Sequence, residues 1–120
     1  MATARYIVDN VDAAVAFYTS ALGFQLRQQF PAMAIMALGD LTLWLAGPAA
    51  SASRPMPDGR RPEPGGWNRI VVQVDDLAAR VDALRRQGVP FRNDIVSGPG
   101  GQQILCEDPS GNVIELFQPA

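Results

Sequence analysis

Val8-Asp9-Asn10-Val11-Asp12-Ala13-Ala14-Val15 and Val74-Asp75-Asp76-Leu77-Ala78-Ala79-Arg80-Val81 are two versions of one segment. Each follows a short run of strand character, Tyr6-Ile7-Val8 or Ile70-Val71-Val72, and each opens a helical pattern. Val11, Val15, Tyr18 and Leu22 recur at spacings of four, three and four, and Leu77, Val81 and Leu84 at four and three. Asn10 and Asp76 stand where a helix takes an N-cap, because their short side chains can accept from the first free backbone N–H groups. Gly23 and Gly88 stand where the chain must turn left-handed to leave the helix.

Working outward, each helix is followed by three short strands: 24–30, 33–38 and 41–46 in the first half, 91–96, 102–107 and 113–118 in the second. Gly39-Asp40, Gly98-Pro99-Gly100-Gly101 and Asp108-Pro109-Ser110-Gly111-Asn112 separate them as turn signals. The expectation is an α+β fold of two βαβββ modules, residues 1–46 and 67–120, within one domain spanning 1–120. The Pro/Gly/Ser-rich stretch 47–66 is the connector, and a candidate lid.

Composition removes several classes of function. The chain has 120 residues, 48% hydrophobic and 18% charged, which suits one domain with its own core. No apolar run reaches the roughly 20 residues of a bilayer span, and the opening residues do not read as a signal peptide. The cytoplasm is therefore the expected compartment, in keeping with the single cysteine, Cys106. A net charge of −2, with no basic cluster beyond Arg60-Arg61 and Arg85-Arg86, argues against a nucleic-acid partner. There is no histidine. The commonest transition-metal ligand and the usual general base near neutral pH are thus both missing.

Val11-Asp12-Ala13-Ala14-Val15-Ala16-Phe17-Tyr18 with Leu22-Gly23-Phe24, and Asp108-Pro109-Ser110-Gly111-Asn112-Val113-Ile114-Glu115-Leu116 near the end, resemble the opening and closing signatures of the vicinal-oxygen-chelate superfamily. This is the glyoxalase/bleomycin-resistance/dioxygenase group. The resemblance implies that each module curls its sheet around a cavity with the helix behind, and that two copies of the chain assemble as a homodimer. It also implies that metal-using members take ligands, usually His and Glu, from the first and last strands of each module. Those positions fall at Thr3 and Arg69, with Arg5 and Val71 as same-face alternatives, and at Leu43 and Glu115. Only Glu115 is a usual ligand, so a metal-free branch is expected, with no metal and no cofactor.

Strand alternation then divides the faces. Arg69, Val71 and Gln73 oppose the helix-packing Ile70, Val72 and Val74, and Thr3, Arg5 and Ile7 oppose Ala4, Tyr6 and Val8. Val113, Glu115 and Phe117 are expected on the cavity side, matched by Leu41, Leu43 and Leu45. Trp44 changes face with a one-residue change in how the two last strands are aligned. Phe30, Trp67 and Phe91, near strand ends or the connector, are expected at the cavity mouth. The expected ligand contacts are thus Arg5, Ile7, Phe30, Leu43, Trp67, Arg69, Val71, Gln73, Phe91, Glu115 and Phe117. Glu115 is expected to pair with Arg69 or Arg5, and Cys106, without a base to activate it, to be a small buried hydrophobe.

The superfamily hosts lyases, dioxygenases and drug-binding proteins alike, so fold alone does not select a function. Three readings follow. In the first, the protein sequesters a flat aromatic antibiotic or natural product, and no residue is catalytic. The second is a metal-independent lyase or isomerase with Glu115 as general base and Arg69 or Arg5 stabilising an oxyanion. The third is a dimer whose cavity is filled by its own side chains.

Overall fold

The computed structural model describes residues 2–120. The chain runs β1 (Ala4–Ile7), α1 (Val11–Ser20), β2 (Gln25–Gln29), β3 (Met33–Leu38), β4 (Leu41–Ala46), β5 (Ile70–Gln73), α2 (Leu77–Arg86), β6 (Val96–Gly98), β7 (Gly101–Glu107) and β8 (Val113–Pro119). A single 3-10 turn, Ser51–Ser53, lies between β4 and β5. These elements form two compact units that divide between Gly65 and Gly66. Each is a four-stranded mixed sheet with one helix: β1-β4-β3-β2 in unit 1 and β5-β8-β7-β6 in unit 2. The fold is α+β, with the repeat as expected.

Both helix starts are set by local chemistry. Asn10 Oδ1 accepts from the Ala13 N–H at 2.9 Å, and Asp76 Oδ1 from the Ala79 N–H at 3.1 Å. Gly23 and Gly88 leave the helices at φ 77° and 81°, a region that costs a residue with a Cβ about 1 kcal/mol or more. The helices then bury one stripe each. Tyr18, fully buried, meets Phe17 and Phe24 edge-to-face at 5.1 and 5.3 Å, while Leu77, Val81 and Leu84 fill the same role on α2.

In each unit the first strand lies parallel to the last, which sits in mid-sheet. Ala4, Arg5, Tyr6 and Ile7 are level with Leu43, Trp44, Leu45 and Ala46. Ile70, Val71, Val72 and Gln73 are level with Ile114, Glu115, Leu116 and Phe117. The core-facing residues are therefore Leu43 and Leu45 in β4, but Ile114 and Leu116 in β8.

This corrects the expectation that Leu43 lines a cavity. Leu43 and its cross-strand partner Met36 are both 0% exposed, as are Leu45 and its partner Ala34. The two turns before the last strands differ in length, so equating Gly39-Asp40 with Gly111-Asn112 shifts parity by one. Trp44, not Leu43, is the counterpart of Glu115 in the repeat.

The sixth strand is displaced as well. Of the expected strand 91–96, Phe91 makes only an isolated bridge to Cys106, and regular pairing begins at Val96 opposite Gln103. The reason lies in a side chain: Asn93 Oδ1 accepts the Leu105 N–H at 3.0 Å and so replaces the backbone acceptor that a strand would offer. Phe91 ends on the helix side, with the Arg85 guanidinium of α2 over its ring at 5.2 Å.

Candidate ligand-binding site

The site candidates sit on the sheet faces that carry no helix. In unit 2, register places Val71 beside Glu115 and Gln73 beside Phe117, with Leu105 and Gln103 across from them on β7. Glu115 is 8% exposed. A carboxylate this deep requires compensation, and Arg69 supplies it through Nε at 3.0 Å and Nη2 at 2.9 Å. Both bonds fall on Oε1. Oε2 takes no hydrogen bond among the described residues and is not fully enclosed. Arg69 also donates to the Trp67 carbonyl at 3.4 Å, so the pair ties the segment before β5 to the middle of the sheet.

At the far end of this face lies an apolar groove of about 210 Å³ between Val96, Gln103, Phe117 and the Gly98–Gly101 hairpin. Gly101 is required there: its φ is 144°, and a Cβ would run into the Gln118 carbonyl of β8. A larger depression, about 450 Å³, runs along α2 past Asp76, Ala79, Arg80 and Ala83 and touches only Gln73 of the expected contacts. Its walls are a solvated helix face, and we attach no site to it.

Arg92 and Glu107 were missed in the sequence reading. Arg92 donates from Nε to Glu107 at 2.7 Å, from Nη1 to the Gly66 carbonyl at 2.7 Å and from Nη2 to the Gly111 carbonyl at 3.0 Å. Its guanidinium also lies 4.7 Å over the ring of Trp67, which remains 69% exposed. Two loops and the end of β7 converge on one cation, and only folding brings them together. Trp67 is thereby held as an aromatic surface whose other side is available.

Unit 1 presents a different face. Arg5 lies over Trp44, 4.9 Å from the ring centroid; Ile35 is across from Trp44, and Ile7 lies level with Ala46. Phe30, exposed, donates its N–H to the Met33 carbonyl at the β2–β3 turn. The structure thus groups Arg69, Val71, Gln73, Glu115 and Phe117 on unit 2, and Arg5 and Ile7 with Trp44 on unit 1. Leu43 and Phe91 are elsewhere. Cys106 is buried in the unit 2 core, and desolvation pushes its thiol up to about 12, far from a reactive thiolate.

By register, the positions at which the resemblance implies metal ligands hold Thr3, Trp44, Arg69 and Glu115. One carboxylate already bonded to an arginine, with only an indole and a hydroxyl at the matching positions of unit 1, does not make the donor set of a divalent transition ion. Among the described residues no three His, Cys, Asp or Glu side chains cluster closely enough to hold one. Nor is any helix long and apolar enough to cross a membrane.

Two βαβββ units, each closing its first strand parallel against its last, define the glyoxalase type of fold. The chain belongs to the Glyoxalase/Bleomycin resistance protein/Dioxygenase superfamily, whose model matches residues 1–116. Among solved structures it is similar to TnmS3, an antibiotic binding protein from Streptomyces, at 26% identity and TM-score 0.71, covering 100% of this chain and 97% of that one. Lactoylglutathione lyase from Agrobacterium tumefaciens shares its fold at 22% identity and TM-score 0.74, covering 98% and 92%. So does the fosfomycin resistance protein FosX from Listeria monocytogenes, at 13% identity and TM-score 0.76, covering 100% and 93%. No curated protein matches the chain.

Proposed function

We propose that this protein is a metal-free, small-molecule-binding member of its superfamily that confers resistance by sequestering a flat aromatic antibiotic or natural product. The observation that carries this reading is the donor set: of the four metal positions only Glu115 is a usual ligand, and Arg69 already holds it. Trapping a guest requires shape and apolar surface but no catalytic group. Similarity along the whole chain to TnmS3, described as an antibiotic binding protein, supports the same reading. The assigned contacts are Arg5, Ile7, Trp44 and Phe30 in unit 1, and Trp67, Arg69, Val71, Gln73, Glu115 and Phe117 in unit 2. The two units act as one domain, in a cytoplasmic homodimer whose second copy covers exposed edge strands. A monomeric mass at micromolar concentration would contradict the dimer.

The test is recovery of the guest. The protein is incubated with a panel of aromatic antibiotics and small carbonyl compounds, passed over a sizing column, and the bound fraction identified by mass spectrometry. One unaltered guest per site is the expected result.

A second reading has one observation in its favour. Glu115 Oε2 takes no hydrogen bond among the described residues while Oε1 is held by the Arg69 guanidinium, an arrangement a metal-independent isomerase or lyase would use for proton abstraction. An altered guest, with turnover lost in Glu115→Gln while binding persists, would establish it in place of sequestration.

A further inference from the structure

Three arginines lie over aromatic rings: Arg92 over Trp67, Arg85 over Phe91 and Arg5 over Trp44. The first two also meet carboxylates, Glu107 at 2.7 Å and Asp94 at 3.7 Å. Arg5 meets none among the described residues. The difference has a definite origin. In unit 2 the last strand places Glu115 where it neutralises Arg69; in unit 1 the same register position is Trp44. The register position that holds a carboxylate in unit 2 thus holds an indole beside Arg5 in unit 1.

An arginine resting over a ring still has its in-plane N–H donors available, and these match a carboxylate in a two-pronged fashion. Beside the pair lie apolar side chains, with Ile7 further along β1, Ile35 across from Trp44 and Met33 across from Ala46, and Gln28 is level with Ile35 at the β2 edge. An apolar platform with an uncompensated guanidinium on it selects for shape and for charge together. The chain's net charge of −2 does not steer an anion in from a distance, so the discrimination must arise at contact.

We infer that this face of unit 1 recognises a planar aromatic guest bearing a carboxylate, which Arg5 takes with paired N–H donors while the ring system lies against Trp44 and Ile35. The inference rests on the binding reading above and specifies its guest class. A stack that merely covers Trp44 would be indifferent to the guest's charge, and this difference is measurable.

The full-length protein is titrated calorimetrically with anthraquinone-2-carboxylate and with the matching carboxamide, probes of one shape and different charge. The carboxylate is expected to bind about tenfold more tightly. Arg5→Gln, at an exposed position, should bring the two within about twofold with an unchanged circular dichroism spectrum. Arg5→Lys should keep part of the preference, because an ammonium cannot fork. Equal affinities in the native protein, a preference that survives Arg5→Gln, or neither probe binding more tightly than ~1 mM would each overturn the inference. Mass analysis of the released probe separates the two claims. An Arg5-dependent preference with an altered probe keeps this inference and removes sequestration, whereas unaltered probes without charge preference do the reverse.

Discussion

Trp44 stands level with Arg5 on unit 1 as Glu115 stands level with Val71 on unit 2, so one register position holds an indole in the first half of the repeat and a carboxylate in the second. The two halves share a backbone plan but present opposite chemistry on the face without the helix. One is an apolar platform with an open cation; the other carries a closed ion pair beside an apolar groove.

The Arg69–Glu115 pair is held in place by partial burial, with side-chain exposures of 29% and 11%. Arg69→Met should cost about 1–3 kcal/mol in urea unfolding, mostly because it strands the carboxylate. Adding Glu115→Leu should recover much of that loss. Additive losses in the double variant would show that the two side chains are not coupled.

Leu43 and Trp44 should separate cleanly by phenotype. Leu43→Ala removes a fully buried side chain and is expected to lower stability by about 3 kcal/mol, within the usual range for such truncations. Trp44→Leu should instead weaken binding of both anthraquinone probes. A Leu43→Ala loss below ~1 kcal/mol would contradict the parity assigned to β4.

Arg92 clamps Gly66, Gly111, Glu107 and Trp67 together. Arg92→Met should destabilise the protein by about 2 kcal/mol and free Trp67. In a Trp44→Phe background the remaining tryptophan would show lower fluorescence anisotropy. Unchanged anisotropy would mean that the stack does not restrain Trp67 in solution.

The Cys106 thiol, pushed up by burial to about 12 from an ordinary value of 9.0, makes stability depend on pH in a defined direction. Below pH 9 both folded and unfolded chains keep the proton. Between 9 and 12 the unfolded chain releases it and the folded chain does not. Stability should therefore fall as pH rises through this window, by about 1.4 kcal/mol per unit at most. Cys106→Ala should show a shallower decline in paired denaturation curves. Parallel curves for the two proteins would exclude the thiol as a source of the dependence.

The repeat itself was legible because its signals are local. An Asn or Asp N-cap, a stripe at spacings of four and three, and a left-handed glycine act within one helix, and all recur in both halves. In unit 2 only part of the face was legible: Arg69, Gln73 and Glu115 mark the parity opposite Ile70, Val72 and Ile114, but Val71, Val113 and Phe117 on that same parity are apolar, and Val113 and Glu115 are buried as Ile114 and Leu116 are. In β4, Leu-Thr-Leu-Trp-Leu-Ala offers apolar residues on both faces, so alternation alone could not say whether Leu43 or Trp44 turns inward.

Sequence by itself determined the two modules, their order and their helices, and it pointed to the Arg69–Glu115 pair. Tertiary structure alone decided which residue of β4 stands level with Arg5, where β6 begins, and that Arg92 gathers segments separated from it by 15 to 26 residues. Helix caps and stripes are satisfied by neighbours three or four residues away. Strand register and a shared cation are satisfied by partners whose distance along the chain carries no information about their distance in space.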